Sequence, residues 1–264
     1  MKPVIVLCIG GADSSSGAGI QADLKAVSAC GCYGMSVITA VTAQNTLGIQ
    51  DIYPVSPKFV AKQLESVLSD IGADAVKTGM LLTAGVVQVV VKKIKEYTIS
   101  NVVVDPVMLA KGGLALMQDK AREVLVKRLL PLAFVVTPNI PEAEELAQMK
   151  IKSIDEMKKA AALIHNLGAT NVLIKGGHLP GGKKSGAIDI LYDGKKYYEF
   201  SAPWIDTANT HGTGCTYASA LAAEIARGKN VIAAVEKAKK LVTDAIKNSL
   251  KIGAGQGPVN VLGE

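Results

Sequence analysis

The sequence predicts an α/β fold, a mostly parallel central sheet with helices on both faces. Three observations carry that expectation. Short apolar runs alternate with longer amphipathic stretches along most of the chain, as they do when each strand is followed by a helix that packs back onto the sheet. Polar and glycine-rich residues collect just after the apolar runs, where the ligand-binding loops of an open parallel sheet lie. Glycine is frequent, with 26 residues, and aromatic residues make up 4%. That balance suits helices packed closely on a sheet and argues against a surface on which nucleic-acid bases stack.

Taken in order, residues 3–9 are an apolar run ending at Gly10-Gly11 and read as a buried strand. The loop 10–17 opens a helix reaching about Ala29. Residues 35–41 and 49–55 are the next strands. Ser56-Pro57 marks a helix start with proline at the first helical position, and the helix runs to about Ser69. A strand at 75–77, a helix at 84–96, a strand at 101–104, a helix at 119–130 and a strand at 134–136 follow. Ser153 and Glu156 form a capping box for a helix to about Leu167. Residues 171–175 are a strand ending in Gly176-Gly177. Residues 187–192 and 195–201, joined through Asp193-Gly194, form a hairpin. Helices near 216–227 and 231–250 complete the series. No internal repeat or linker interrupts it, so one domain over residues 1–264 is expected.

With 49% hydrophobic residues in 264, the chain is excluded from the disordered class and buries a substantial core. The net charge of +6 favours approach of a polyanion. The lysines are spread over many helices, however, and no nucleic-acid partner is expected. Four cysteines, at 8, 30, 32 and 215, give neither a disulfide framework nor zinc-ligand spacing. Reduced thiols, the absence of a leader pattern and the absence of a membrane-spanning run make the cytoplasm the expected compartment.

The segment from Thr207 to Thr216 carries the strongest local signal. Gly212-Thr213-Gly214-Cys215 lies at the mouth of a long apolar helix. The first turn of a helix presents unpaired N–H groups and the positive end of the macrodipole, and the glycines let an anion approach them. The run therefore reads as a phosphate cradle, with the Cys215 thiolate favoured electrostatically. The competing reading is a glycine-rich turn with a buried, inert cysteine. Six post-strand loops converge with this helix mouth on one crevice: 10–13, 42–45, 78–80, 105–108, 137–139 and 175–177.

Together these motifs resemble the ribokinase-like superfamily, and within it the hydroxymethylpyrimidine/phosphomethylpyrimidine kinases of thiamine biosynthesis. The matching segments begin with Gly10-Gly-Ala-Asp-Ser-Ser-Ser-Gly-Ala-Gly-Ile-Gln-Ala-Asp-Leu-Lys25, Val41-Thr-Ala-Gln-Asn-Thr46 and Val76-Lys-Thr-Gly-Met-Leu81. They continue with Val104-Asp-Pro-Val-Met108, Thr137-Pro-Asn-Ile-Pro-Glu-Ala-Glu144, Leu173-Ile-Lys-Gly-Gly-His178 and Thr210-His-Gly-Thr-Gly-Cys-Thr216. The resemblance implies a ribokinase-like fold. Sugar kinases of that fold insert lid strands early and carry an aspartate where this chain has Cys215. Here the first strand passes directly into a helix, so no large lid domain is expected, and cysteine at that position points to vitamin precursors.

The amide of Gln44 complements the ring nitrogen and amino group of an aminopyrimidine, and the resemblance places it there. The resemblance also implies that Gly11, Ala18, Asp23, Met80 and Val107 line the ring pocket. On sequence alone Met80 reads equally as core and Asp23 as a solvated helix residue. Asp105 and Glu142 are the carboxylates for Mg2+. The Asn139-x-x-Glu142 pattern is similar to one that superfamily kinases use near the metal and nucleotide, while Glu142 also reads as a carboxylate answering a helix dipole. Lys175 resembles the residue that lies near the ATP phosphates; a solvated lysine is the alternative. Gly212, Thr213, Gly214 and Cys215 would supply the anion hole, with Cys215 as the base that takes the hydroxymethyl proton. His211 reads as a residue that orders the cradle. The implied activity is phosphorylation of 4-amino-5-hydroxymethyl-2-methylpyrimidine and then of its monophosphate by Mg-ATP, in a homodimer. A pyridoxal kinase and a non-catalytic vitamin-binding protein are the alternatives.

Overall fold

The computed structural model describes residues 2–108, 115–177, 179 and 186–263; His178, which closes one of the matching segments, lies outside them. The strands are β1 (Ile5–Asp13), β2 (Tyr33–Asn45), β3 (Gly48–Pro54), β4 (Ala75–Thr78), β5 (Val102–Val104), β6 (Val135–Val136), β7 (Asn171–Ile174), β8 (Ala187–Tyr192) and β9 (Tyr197–Ala202). They form one sheet in the order β3-β2-β1-β4-β5-β6-β7-β8-β9. The pairs from β2 through β7 are parallel, while β3, β8 and β9 join antiparallel at the two edges.

The helices are α1 (Gly19–Ala29), α2 (Pro57–Asp70), α3 (Ala84–Glu96), α4 (Asp119–Val124), α5 (Ile140–Ala147), α6 (Ile154–His165), α7 (Thr213–Ala226) and α8 (Val231–Lys247). Side chains of successive strand residues point to opposite faces, and the core divides accordingly. Ile5, Leu7 and Ile9 pack with α2 and α3, in the layer that also takes in α4, α5 and α6. Val6 and Cys8 pack with α1, α7 and α8. The predicted sheet with helices on both faces is the observed one. Among the described residues no helix is long and apolar enough to cross a membrane.

Two strand ends and one cap differ from expectation, each for a physical reason. β1 does not stop at Ile9; it continues through the glycine pair to Asp13, with a register shift between Gly10 and Gly11. β2 does not stop at Val41, because its polar extension to Asn45 pairs with β3. The capping box expected at Ser153 is half formed: the Ser153 hydroxyl accepts from the Glu156 N–H, but the Glu156 carboxylate accepts from Lys152 N. The complete box is at α5, where Asn139 and Glu142 each accept from the other's backbone N–H.

Candidate functional site

The carboxyl ends of β1, β4 and β5, the residues just past β6 and β7, the hairpin β2–β3 and the mouth of α7 enclose a cleft of about 560 Å³. Its wall contains every residue that the sequence reading assigned to substrate, nucleotide, metal or catalysis. Residues 212–215 form one side. Gly212 precedes α7 with φ +80°, a conformation that disfavours a side chain, and a Cβ there would overlap the Gly17 carbonyl oxygen. The Thr213 hydroxyl donates to the Thr210 carbonyl at 2.8 Å. Thr216 N–H donates to Gly212 O, so Gly214 and Cys215 belong to the unpaired first turn.

Two lysine–aspartate pairs lie beneath that turn. Lys175 Nζ is 2.8 Å from Asp105 Oδ1, which also accepts from the Thr137 hydroxyl. A Cβ on Gly214 would lie 3.4 Å from that ammonium, so the cation sits against the first turn of α7. Burial would raise the Asp105 carboxyl, but Lys175 and Lys77 hold it below its ordinary value. Burial would likewise lower Lys175; Asp105 and Glu142 hold it above. Lys175 is therefore not a solvated surface lysine. Glu142 is pushed up to about 7 by burial, with Lys175 opposing.

The second pair escaped the sequence reading. Lys77, the last residue of an apolar run, is fully buried with its Nζ 2.7 Å from Asp23 Oδ1. Asp23 is buried too and accepts from the hydroxyl of Ser219 at 2.8 Å. It is not a solvated helix residue. Ser219 lies one helical turn below Cys215. A single charged residue within a buried parallel strand was the available signal for Lys77. Burial alone would discharge the lysine; Asp23, with Cys215 and Asp105 nearby, holds it above its ordinary value.

Cys215 departs from expectation. The helix mouth was expected to favour the thiolate, yet burial pushes the thiol up to about 11 despite Lys77. Desolvation outweighs the partial charge of one helix terminus, which is worth at most about 2 kcal/mol.

In the same cleft wall, Met80 packs with Ala40, Leu116 and Val107 and would touch a Cβ at Gly11. The Gln44 amide lies between Thr42 and His211, and His211 Nε2 is 2.9 Å from Asp13 Oδ2. Hairpin residues Thr46, Leu47, Gly48 and Ile49 and the C-terminal residues Ala254, Gly255 and Gln256 also line the cleft. Gln256 N–H donates to Thr46 O at 2.9 Å. Nothing local in the sequence announces a contact across that separation.

The profile of a family described as phosphomethylpyrimidine kinase matches residues 13–260. The chain is 52% identical to the thiamine biosynthesis bifunctional protein ThiED of Geobacter sulfurreducens, over 97% of this chain and 51% of that protein. It thus spans about half the length of that relative. It is 46% identical to the hydroxymethylpyrimidine/phosphomethylpyrimidine kinase of Bacillus subtilis, covering 96% and 93% of the two chains. Similar solved structures include an ADP complex of Bacillus subtilis pyridoxal kinase, with TM-score 0.91, 41% identity and coverage of 98% and 97%. A phosphomethylpyrimidine kinase from Clostridium difficile has TM-score 0.81, 44% identity and coverage of 92% and 99%.

Proposed function

The chain belongs to the phosphomethylpyrimidine kinase family, and from that premise we propose that it transfers the γ-phosphoryl group of ATP to 4-amino-5-hydroxymethyl-2-methylpyrimidine and then to the monophosphate, giving the diphosphate used in thiamine synthesis. The observation that carries this is a single cleft whose wall holds both the Gln44 amide and a helix mouth suited to an anion beside the buried Asp105–Lys175 pair. In the first step the hydroxymethyl oxygen bonds to the γ-phosphorus as its bond to the bridging oxygen of ADP breaks, and one proton is released. Phosphoryl transfer through a loose transition state asks mainly for positioning and charge stabilisation. The N–H groups of Gly214 and Cys215 and the Lys175 ammonium supply that stabilisation, and Asn139 lies beside the nucleotide.

The donor set fits magnesium. Among the described residues Asp105 accepts from Thr137 and Lys175 on Oδ1, leaving Oδ2 for a hydrated cation, and Glu142 is the second carboxylate. Among the described residues no cluster of three metal-ligating side chains occurs, which suits an ion held chiefly by waters and nucleotide phosphates. Mg2+, when bound, neutralises charge on those phosphates. Glu142→Gln keeps the α5 cap, because glutamine serves equally at that capping-box position, and removes the charge. Turnover of the variant should need more magnesium than the parent while pyrimidine affinity stays nearly unchanged. Identical magnesium titrations for the two proteins would remove Glu142 from the metal site.

The direct test supplies the pyrimidine alcohol, its monophosphate and pyridoxal separately with ATP at equal concentration. Turnover of the first two above pyridoxal is expected. Pyridoxal phosphorylation is the second reading, favoured by the 0.91 TM-score to a pyridoxal kinase, and turnover of pyridoxal alone would establish it.

The same assay with Cys215→Ala separates two roles for the cysteine. A thiol raised to about 11 keeps its proton near neutral pH, and the backbone N–H survives the substitution. Losses of a few-fold at most, similar for both acceptors, are therefore expected. A loss of roughly 10²–10⁴-fold confined to the alcohol would instead make Cys215 a general base in the ternary complex.

A further inference from the structure

In the structure the Gln44 amide nitrogen lies 3.2 Å from His211 Nε2, and the amide oxygen 3.0 Å from Thr42 Oγ1. Only the second can be a hydrogen bond in that orientation. The Thr42 hydroxyl has one proton and is also 3.0 Å from the Ala12 carbonyl oxygen, so it serves only one of the two acceptors. Asp13 Oδ2 sits 2.9 Å from His211 Nε2. An ionised carboxylate only accepts, so Nε2 carries a proton and offers the Gln44 nitrogen nothing to donate to. Two donors would face each other.

Turning the amide by 180° exchanges its oxygen and nitrogen with no other movement, and the two assignments are nearly indistinguishable by shape. Every proton then finds a place. The Thr42 hydroxyl donates to Ala12 O, the Gln44 NH2 donates to Thr42 Oγ1, and His211 Nε2–H is shared between Asp13 and Gln44 Oε1. Asp13 is itself fixed, accepting from the backbone N–H of Ser15 and Ala18 at 2.8 Å each.

We propose that His211, oriented by Asp13, is the residue that sets the Gln44 amide and thereby the substrate selectivity of the pocket. The amide oxygen lies on the His211 side and the nitrogen on the Thr42 side. Each retains one free hydrogen-bonding position for the ring edge. An aminopyrimidine enters with its amino group towards His211 and its ring nitrogen towards Thr42. A ring lacking that donor–acceptor pair is refused, because the amide cannot turn to suit it. His211 is a positioning residue here, acting through Gln44. The inference rests on the pyrimidine reading above.

The test is a double-mutant cycle read as the calorimetric Kd of 4-amino-5-hydroxymethyl-2-methylpyrimidine, without turnover. His211→Phe keeps a ring and removes the Nε2 donor; Kd should rise about tenfold, as it should for Gln44→Met, since each leaves a polar group unpaired. In the Gln44→Met background, His211→Phe should change Kd less than about twofold. His211→Gln, whose amide nitrogen reaches the place of Nε2, should recover most of the parental affinity. Should His211→Phe fail to fold, Asp13→Asn takes its place in the cycle and should likewise lose its effect in the Gln44→Met background. Losses that add in full would mean that His211 only supports the cradle, and would overturn the proposal. Failure of the parent chain to bind the pyrimidine would overturn the functional reading itself, and the proposal with it.

Discussion

Lys77→Met is expected to destabilise the chain by about 3–5 kcal/mol, the cost of breaking a buried ion pair by removing one partner. For a chain of this size that is a fall in Tm of roughly 6–20 °C. The substitution leaves the Asp23 carboxylate in a place that water does not reach, with only the Ser219 hydroxyl to answer its charge. Truncation of a surface lysine would cost almost nothing, so the size of the effect measures burial. Removing the second charge as well, in a Lys77→Met/Asp23→Leu double variant, should restore much of the lost stability, because well-packed apolar pairs replace buried ion pairs at little net cost. Denaturant unfolding of the single and double variants reads both values. A loss below about 1 kcal/mol for Lys77→Met would mean that Asp23 is already neutral in the folded chain.

The largest effect on turnover is expected from Gly212→Ala. Alanine at φ +80° carries about 1–2 kcal/mol of backbone strain, and its Cβ would collide with the Gly17 carbonyl oxygen. Either the loop before α1 or the first turn of α7 must move. The N–H groups of Gly214 and Cys215 then no longer converge on the transferring phosphoryl group. Loss of one such donor costs about 10²–10³-fold in kcat, and a loss of that order is expected on both acceptors. Gly228→Ala is the control: Gly228 has φ +84° with no atom within 4 Å of its would-be Cβ. It should carry the same backbone strain without the collision, and leave turnover unchanged. Parental turnover by Gly212→Ala would exclude residues 212–215 from the anion hole.

Read alone, the sequence determined the strand–helix alternation, the sheet with helices on both faces, and the set of loops that meet in the cleft. These are periodic or local signals. A buried strand is a short apolar run, a parallel-sheet loop follows it, and Gly-Thr-Gly-Cys before an apolar helix reads as an anion cradle from local chemistry alone. Which residue types gather in the cleft was therefore legible, from Gln44 to Cys215. What each of them does was less so. The end of β2 was misjudged because its polar extension becomes a strand only by pairing with β3. Glu142 was read as a metal carboxylate that can also answer a helix dipole; folding adds that it is buried, closes the α5 cap and is raised to about 7. Asp23 and Lys77 come from α1 and β4 and are joined only when the sheet and α7 close over them. Cys215 looked like a thiolate because the macrodipole is local and visible, whereas the burial that outweighs it depends on every element packed around the site. The clamp from Asp13 through His211 to Gln44 likewise spans three distant segments. Periodicity and turn chemistry are written along the chain; protonation, pairing and amide orientation are set by neighbours that only the tertiary structure supplies.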